Sequence, residues 1–260
     1  MKQLKNHLIV FLLLSVLFAS KQTMAQVSKF SYNQYISGTD TLKYRQLYPD
    51  NARGRKYPLI IFLHGSGERG NDNEAQLKWG ALNFADEQVM SRYPAIVIAP
   101  QCPSDKQWSN FSGDRNSRSL KLQAQPSTPM RLLREVISQA LKTLPVDSNR
   151  IYITGLSMGG FGTFDAISRY PELFAAAVPV CGGGDVEKVP VFASIPIWMF
   201  HGAEDPTVNP QFTTDMLAAL MKAGAHPGCT LLPEVGHFSW LDAYTSQQML
   251  EWLFRQRKNK

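Results

Sequence analysis

The sequence predicts an α/β fold, a mostly parallel sheet of about eight strands with helices on both faces. Short runs that are apolar on every side recur along the chain, as central strands covered on both faces require. Stretches of helical periodicity lie between them, and Gly and Pro punctuate the joins, giving the alternation of βαβ units.

The amino-terminal runs Phe30 to Ile36 and Thr41 to Tyr48 alternate apolar and polar side chains, as edge strands with one wet face do. Core strands are expected at Leu59 to Leu63, Ala95 to Ala99, Ile151 to Thr154, Ala175 to Val180 and Ile197 to Phe200, with Thr230 to Leu232 as the last. Helices are expected at Gln76 to Ser91, Pro129 to Leu144, Met158 to Tyr170, Gln211 to Ala223 and Leu241 to Arg257. Thr128 followed by Pro129 reads as a cap with proline at the first helical position. The polar, Pro-bearing segment Gln101 to Ser127 reads as a loop over the strand ends. No Pro-, Gly- or Ser-rich linker separates two cores, so residues 26–260 are expected to form one domain.

Residues 1–25 read as a secretory signal peptide: Lys2 and Lys5, an apolar run from Leu8 to Ala19, then small Ala25 before Gln26. The run falls short of the roughly 20 residues that span a bilayer, so no lasting membrane anchor is expected. Removal of the segment takes Lys2, Lys5 and Lys21 with it, lowering the formal charge of +6 by three. The basic residues do not cluster along the sequence with interleaved aromatics, so no nucleic-acid partner is expected. Export permits disulfides, yet three cysteines, Cys102, Cys181 and Cys229, leave at least one thiol free or paired between chains. None has metal-ligand or C-x-x-C spacing, and all read best as small packing residues.

The sharpest motif is Gly155-Leu156-Ser157-Met158-Gly159, between an expected strand and an expected helix. That context is the nucleophile elbow, whose apical serine takes a strained backbone conformation to project its hydroxyl. A serine needs a base, and the base needs an orienting carboxylate. His237, after the last strand, is the best-placed base. Asp205, in a turn after the Ile197 to Phe200 strand, is the acid, with Glu204 as runner-up and Asp185 as a weaker alternative. The backbone N–H of Met158 is one expected donor to a developing oxyanion. The loop His64-Gly65-Ser66-Gly67 supplies the other, from Ser66. The same loop continues as Gly65-Ser66-Gly67-Glu68-Arg69-Gly70, a G-x-G-x-x-G match. The next strand ends in Pro100-Gln101 without the acid that would hold a ribose, and polar Asn71 to Glu74 precede any helix, so a dinucleotide is not expected. Trp108 is a candidate to stack on a sugar or aromatic ring, or else a pin for its loop. Glu68 and Arg69 are candidate substrate contacts, or else an ion pair within the loop.

On these motifs, roughly from His64 to His237, the chain resembles α/β-hydrolases of the esterase branch. The likeness is to dienelactone hydrolases, secreted feruloyl or acetylxylan esterases and their "predicted peptidase" relatives. Leu63 to Gly70 is similar to the oxyanion loop of those relatives, and His201-Gly202-Ala203-Glu204-Asp205 to their acid turn. The resemblance implies a cofactor-free Ser-His-Asp hydrolase acting on carboxylic esters, with substrate class open. Residues 181–194 are too few for a helical cap, so the site should be open and suited to bulky or polysaccharide-linked esters of feruloyl or acetyl type. A peptidase of the prolyl oligopeptidase type or an acyltransferase would use the same triad, though the peptidase's propeller is missing. A silent carbohydrate-binding homologue would keep only the fold.

Overall fold

The computed structural model describes residues 24–49, 54–114 and 119–258. The expected signal peptide, residues 1–25, lies almost wholly outside them. Among the described residues, no helix is long and apolar enough to cross a membrane.

Among the described residues ten strands form: β1 Phe30–Ser37, β2 Asp40–Leu47, β3 Tyr57–Leu63, β4 Ile96–Pro100, β5 Phe111–Asp114, β6 Ser119–Leu122, β7 Val146–Leu156, β8 Ala176–Val180, β9 Trp198–Gly202 and β10 Gly228–Leu232. Eight build one sheet in the order β1-β2-β4-β3-β7-β8-β9-β10. β2 runs antiparallel to both β1 and β4, and the remaining pairs are parallel. From β3 onward, the helices among the described residues are α1 Glu87–Arg92, α2 Thr128–Thr143, α3 Met158–Arg169, α4 Val189–Phe192, α5 Gln211–Lys222, α6 Trp240–Thr245 and α7 Gln247–Arg255.

β3 shows why its run is apolar throughout. Leu59, Ile61 and Leu63 join a core with Leu133 and Val136 of α2, Phe164 of α3, Phe192 of α4 and Met216 of α5. Ile60 and Phe62 point the other way, into a second core with Met90 of α1, Tyr244 of α6 and Leu250 of α7. Two layers of helix thus bury alternate faces of one strand. Each fully buried side chain of this kind contributes about 1.5–3 kcal/mol.

Four expectations are corrected. The stretch Gln76 to Ser91 is not one helix: 3-10 turns at Ala75–Leu77 and Ala81–Ala85 precede α1. Gly80 at φ +77° interrupts the helix, and Asp86 starts a new one by accepting from the N–H groups of Gln88 and Val89. Leu241 to Arg257 divides at Ser246, whose hydroxyl caps α7 at Met249 N–H. The cap of α2 is Ser127, one residue earlier than Thr128. The segment from 101 to 127 is not all loop, because β5 and β6 pair as an antiparallel hairpin.

The fold also gathers cations that the sequence scatters. Arg55, Lys56, Arg92, Arg150 and Arg255 meet around a cavity of about 450 Å³, beside Tyr57, Tyr93 and Phe254. It lies where β3 and β7 begin, whereas the elbow lies where β7 ends. Arg92 and Arg255 sit in the last turns of α1 and α7, where a cation faces a helix's negative end.

Candidate active site

β7 ends at Leu156 and α3 begins at Met158, leaving Ser157 alone at the turn with φ +52° and ψ −115°. A non-glycine residue in such a conformation costs about 1–3 kcal/mol, which the surroundings must offset. Two glycines make the turn possible. A Cβ on Gly155 would lie 2.4 Å from the Gly159 carbonyl oxygen, and one on Gly159 would lie 2.0 Å from that of Leu63. Neither neighbour is a movable side-chain tip, so the elbow admits no larger residue at either place.

His237 Nε2 lies 3.0 Å from Ser157 Oγ, and His237 Nδ1 lies 2.7 Å from Asp205 Oδ2. A carboxylate can only accept, so Nδ1 carries the proton and Nε2 is left to accept from the serine hydroxyl. Asp205 is itself fixed: Oδ1 accepts from the N–H groups of Thr207 at 2.8 Å and Val208 at 2.9 Å. The order Ser157, Asp205, His237 expected from the sequence is thus one connected chain. Glu204 is exposed. Asp185 is buried elsewhere, accepting from Leu122 N–H of the hairpin and from Glu187 N–H.

A second histidine touches the same carboxylate, and its role is the main feature the sequence reading missed. His201 Nε2 lies 3.2 Å from Asp205 Oδ2 and 2.9 Å from the Val208 carbonyl oxygen, while Nδ1 lies 2.6 Å from Thr213 Oγ1. Both oxygens facing Nε2 are acceptors, so Nε2 is protonated and Nδ1 accepts from the threonine. The ring is fully buried, and burial lowers its pKa against the pull of Asp205 and the Val208 carbonyl. Its sequence signal was the His-Gly pair at a strand's end.

Ser66, Arg69, Gln107, Ser157, Met158, Phe161, Thr207 and Val208 line a cavity of about 260 Å³. Met158 and Ser66, the two expected oxyanion donors, therefore face the same space as the serine. Among the described residues, neither N–H has an acceptor within the chain. The hairpin walls this cavity from behind: Phe111 and Leu120 pack with Phe161, Val208 and Phe212. Its flanking loop is held to α3 where Asn110 N–H donates to Asp165 Oδ2, and Arg169 pairs with Asp165 at 2.6 Å.

The remaining candidates fall apart from one another. Arg69 lines the cavity mouth, donating through Nε to the Ser66 carbonyl at 3.1 Å. Glu68 turns inward and is 6% exposed, so it offers nothing to a ligand. Burial raises its pKa, opposed by the Lys78 charge and by the amides of Gly65 and Glu68. Glu68 and Arg69 do not pair. Trp108 is fully buried and donates from Nε1 to the His64 carbonyl at 3.1 Å, so it is the pin of its loop and not a stacking surface.

The three cysteines are free thiols. Cys181 Sγ lies with the Asp205 and His237 ligand atoms, all within 4.8 Å of one another. Burial pushes its pKa up to about 12, so it stays protonated. A thiol, and a histidine already committed to a carboxylate, form a poor cation site at neutral pH.

Ser157 at a strand-to-helix elbow, joined through His237 to Asp205 at the ends of β7, β10 and β9 of this sheet, defines an α/β-hydrolase. The phospholipase/carboxylesterase family model matches residues 50–249, and the chain belongs to that family. A solved thermostable esterase is 38% identical with a TM-score of 0.83, the match covering 90% of this chain and 64% of that one. A solved ferulic acid esterase, 17% identical with a TM-score of 0.68 over 87% of this chain and 98% of that one, shares the fold. A bifunctional acetylxylan esterase/xylanase of Neocallimastix patriciarum is 25% identical over 154 residues, which is 59% of this chain and 20% of that protein. The chain thus spans about a fifth of that relative and under two thirds of the thermostable esterase.

Proposed function

We propose that the protein is a serine hydrolase that cleaves carboxylic esters through an acyl-enzyme. Ser157 Oγ attacks the ester carbonyl as its proton passes to His237 Nε2. The imidazolium so formed is held by Asp205, and the oxyanion is met by the N–H groups of Met158 and Ser66. His237 then returns the proton to the departing alcohol, and water repeats the sequence in reverse roles to free the acid. The observation that carries this reading is the unbroken Ser157–His237–Asp205 chain at 3.0 and 2.7 Å, ending at a cavity lined by Met158 and Ser66, whose N–H groups have no acceptor among the described residues.

The proposed substrates are bulky or polysaccharide-linked esters, reached after export. Two features support this. Between β8 and β9 stand only a 3-10 turn at Val186–Lys188 and the single-turn α4, so no helical cap is inserted between these strands. Relatives named for acetylxylan match over more than half of the chain. A fluorophosphonate should label the wild-type protein at Ser157, located by mass spectrometry, and Ser157→Ala should abolish turnover of acetylated and feruloylated oligosaccharides. A label elsewhere would defeat the mechanism. Turnover confined to micellar lipid would defeat the substrate class.

A further inference from the structure

The heptad His64 to Gly70 contains more ordered polar chemistry than an oxyanion loop needs for a single N–H, and its pieces converge on Ser66. His64 is 1% exposed, with Nδ1 at 2.6 Å from the Gly65 carbonyl oxygen and Nε2 at 2.9 Å from Cys102 N. A carbonyl only accepts and a backbone N–H only donates. The tautomer is therefore determined: Nδ1–H donates to Gly65, and Nε2 accepts from Cys102. The Gly65 carbonyl belongs to the same peptide unit as the Ser66 N–H. On the other side of Ser66, its own carbonyl accepts from Arg69 Nε at 3.1 Å. Both peptide planes that meet at the Ser66 Cα are thus held by side chains, one from inside the protein and one from the cavity mouth. The loop is closed onto β4's exit by Gly70 N–H donating to the Cys102 carbonyl at 3.0 Å.

We infer that His64 and Arg69 are positioning residues, which aim the Ser66 N–H at the oxyanion by fixing the peptide planes on either side of it. The inference rests on the ester-cleaving reading above and extends it. Preorganised donors stabilise a transition state because they need not reorient as charge develops. A peptide plane free to rock loses that advantage even when its N–H is intact. A donor to the carbonyl of a peptide also polarises the unit and strengthens the N–H at its other end.

The test uses His64→Phe, His64→Asn and Arg69→Ala in the full chain, with p-nitrophenyl acetate as substrate and a trifluoromethyl ketone as tetrahedral analogue. Removal of an oxyanion donor outright lowers kcat about 10²–10³-fold, so a loosened donor should cost about tenfold. His64→Phe should show that loss with KM unchanged within about twofold, His64→Asn should recover part of it, and the ketone's Ki should rise by the factor that kcat falls. Arg69→Ala should follow the same split more mildly, and it alone carries the test if His64→Phe does not fold. Unchanged kcat, or a raised KM with unchanged Ki, would overturn the inference, the second result making Arg69 a substrate contact instead. Failure of the underlying reading is separately visible, because wild-type protein would then take no fluorophosphonate at Ser157.

Discussion

Two loops of this site begin with the same dipeptide and use it differently. His64-Gly65 leaves β3 and His201-Gly202 leaves β9, and each histidine is buried with both ring nitrogens engaged. His64 bonds only to backbone and so shapes the path of its own loop. His201 reaches across its loop to the carboxylate that holds His237, sharing Asp205 Oδ2 with it. One dipeptide at a strand's end therefore marks a rigid turn, while the acceptors around the ring decide whether it serves geometry alone or also the charge. The contrast implies that damage at His64 reads out in transition-state affinity, and damage at His201 in the base.

The largest effect that sharpens the contrast should come from Asp205→Asn. The amide can offer His237 an N–H where the carboxylate accepted, which favours the wrong imidazole tautomer, and kcat should fall about 10⁴-fold. Measured kcat within tenfold of wild type would mean that His201, or another group, orients His237.

Stability against pH tests the His64 loop next. Burial, aided by the Arg69 charge and opposed by the Gly65 carbonyl and Asp72, lowers the pKa of His64 to about 4 from 6.5. Between those values the unfolded chain binds a proton that the native chain refuses, so stability rises with pH across that window. The contribution is whole above about pH 6.5, is lost as pH falls toward 4, and amounts to about 3 kcal/mol. Urea unfolding at pH 7 and pH 4.5 should show a smaller drop for His64→Asn than for wild type, and equal drops would refute the assignment. His201→Phe should instead act on catalysis. It strips a donor from Asp205 and from the Val208 carbonyl in a dry site, worth about tenfold in kcat. His201→Gln, which restores an N–H at similar reach, should recover part of the loss.

The same distinction explains what was legible in the sequence. Ser157, Asp205 and His237 could be read because each sits in a turn after a strand, and β3, β4, β8 and the buried second half of β7 could be read because burial on both faces leaves a largely apolar run, whereas the polar first half of β7, from Val146 to Arg150, gave no such signal. The stretch from 76 to 91 misled because Leu77, Ala81, Phe84 and Ala85 are buried at helix-like intervals although Gly80 breaks the path between them. The β5–β6 hairpin was invisible because its apolar partners Phe161, Val208 and Phe212 lie far along the chain. The cation cluster at Arg55 and Arg255 was invisible for the same reason.

Trp108 is where local composition says least and the fold most, and it gives the finest test of the His64 side of the comparison. A tryptophan in a polar loop near a site invites a stacking role, yet this indole is covered on every side and contacts His64 edge to face at 5.3 Å. Its N–H ends at the His64 carbonyl, so it secures the root of the oxyanion loop from below. Trp108→Phe keeps most of the packing and removes that bond. The expected cost is about 1 kcal/mol in unfolding free energy, with KM for feruloylated oligosaccharide unchanged. A tryptophan that bound the sugar would give the reverse, a raised KM in a protein of undiminished stability. The direction of the split therefore decides whether the residue belongs to the loop or to the ligand.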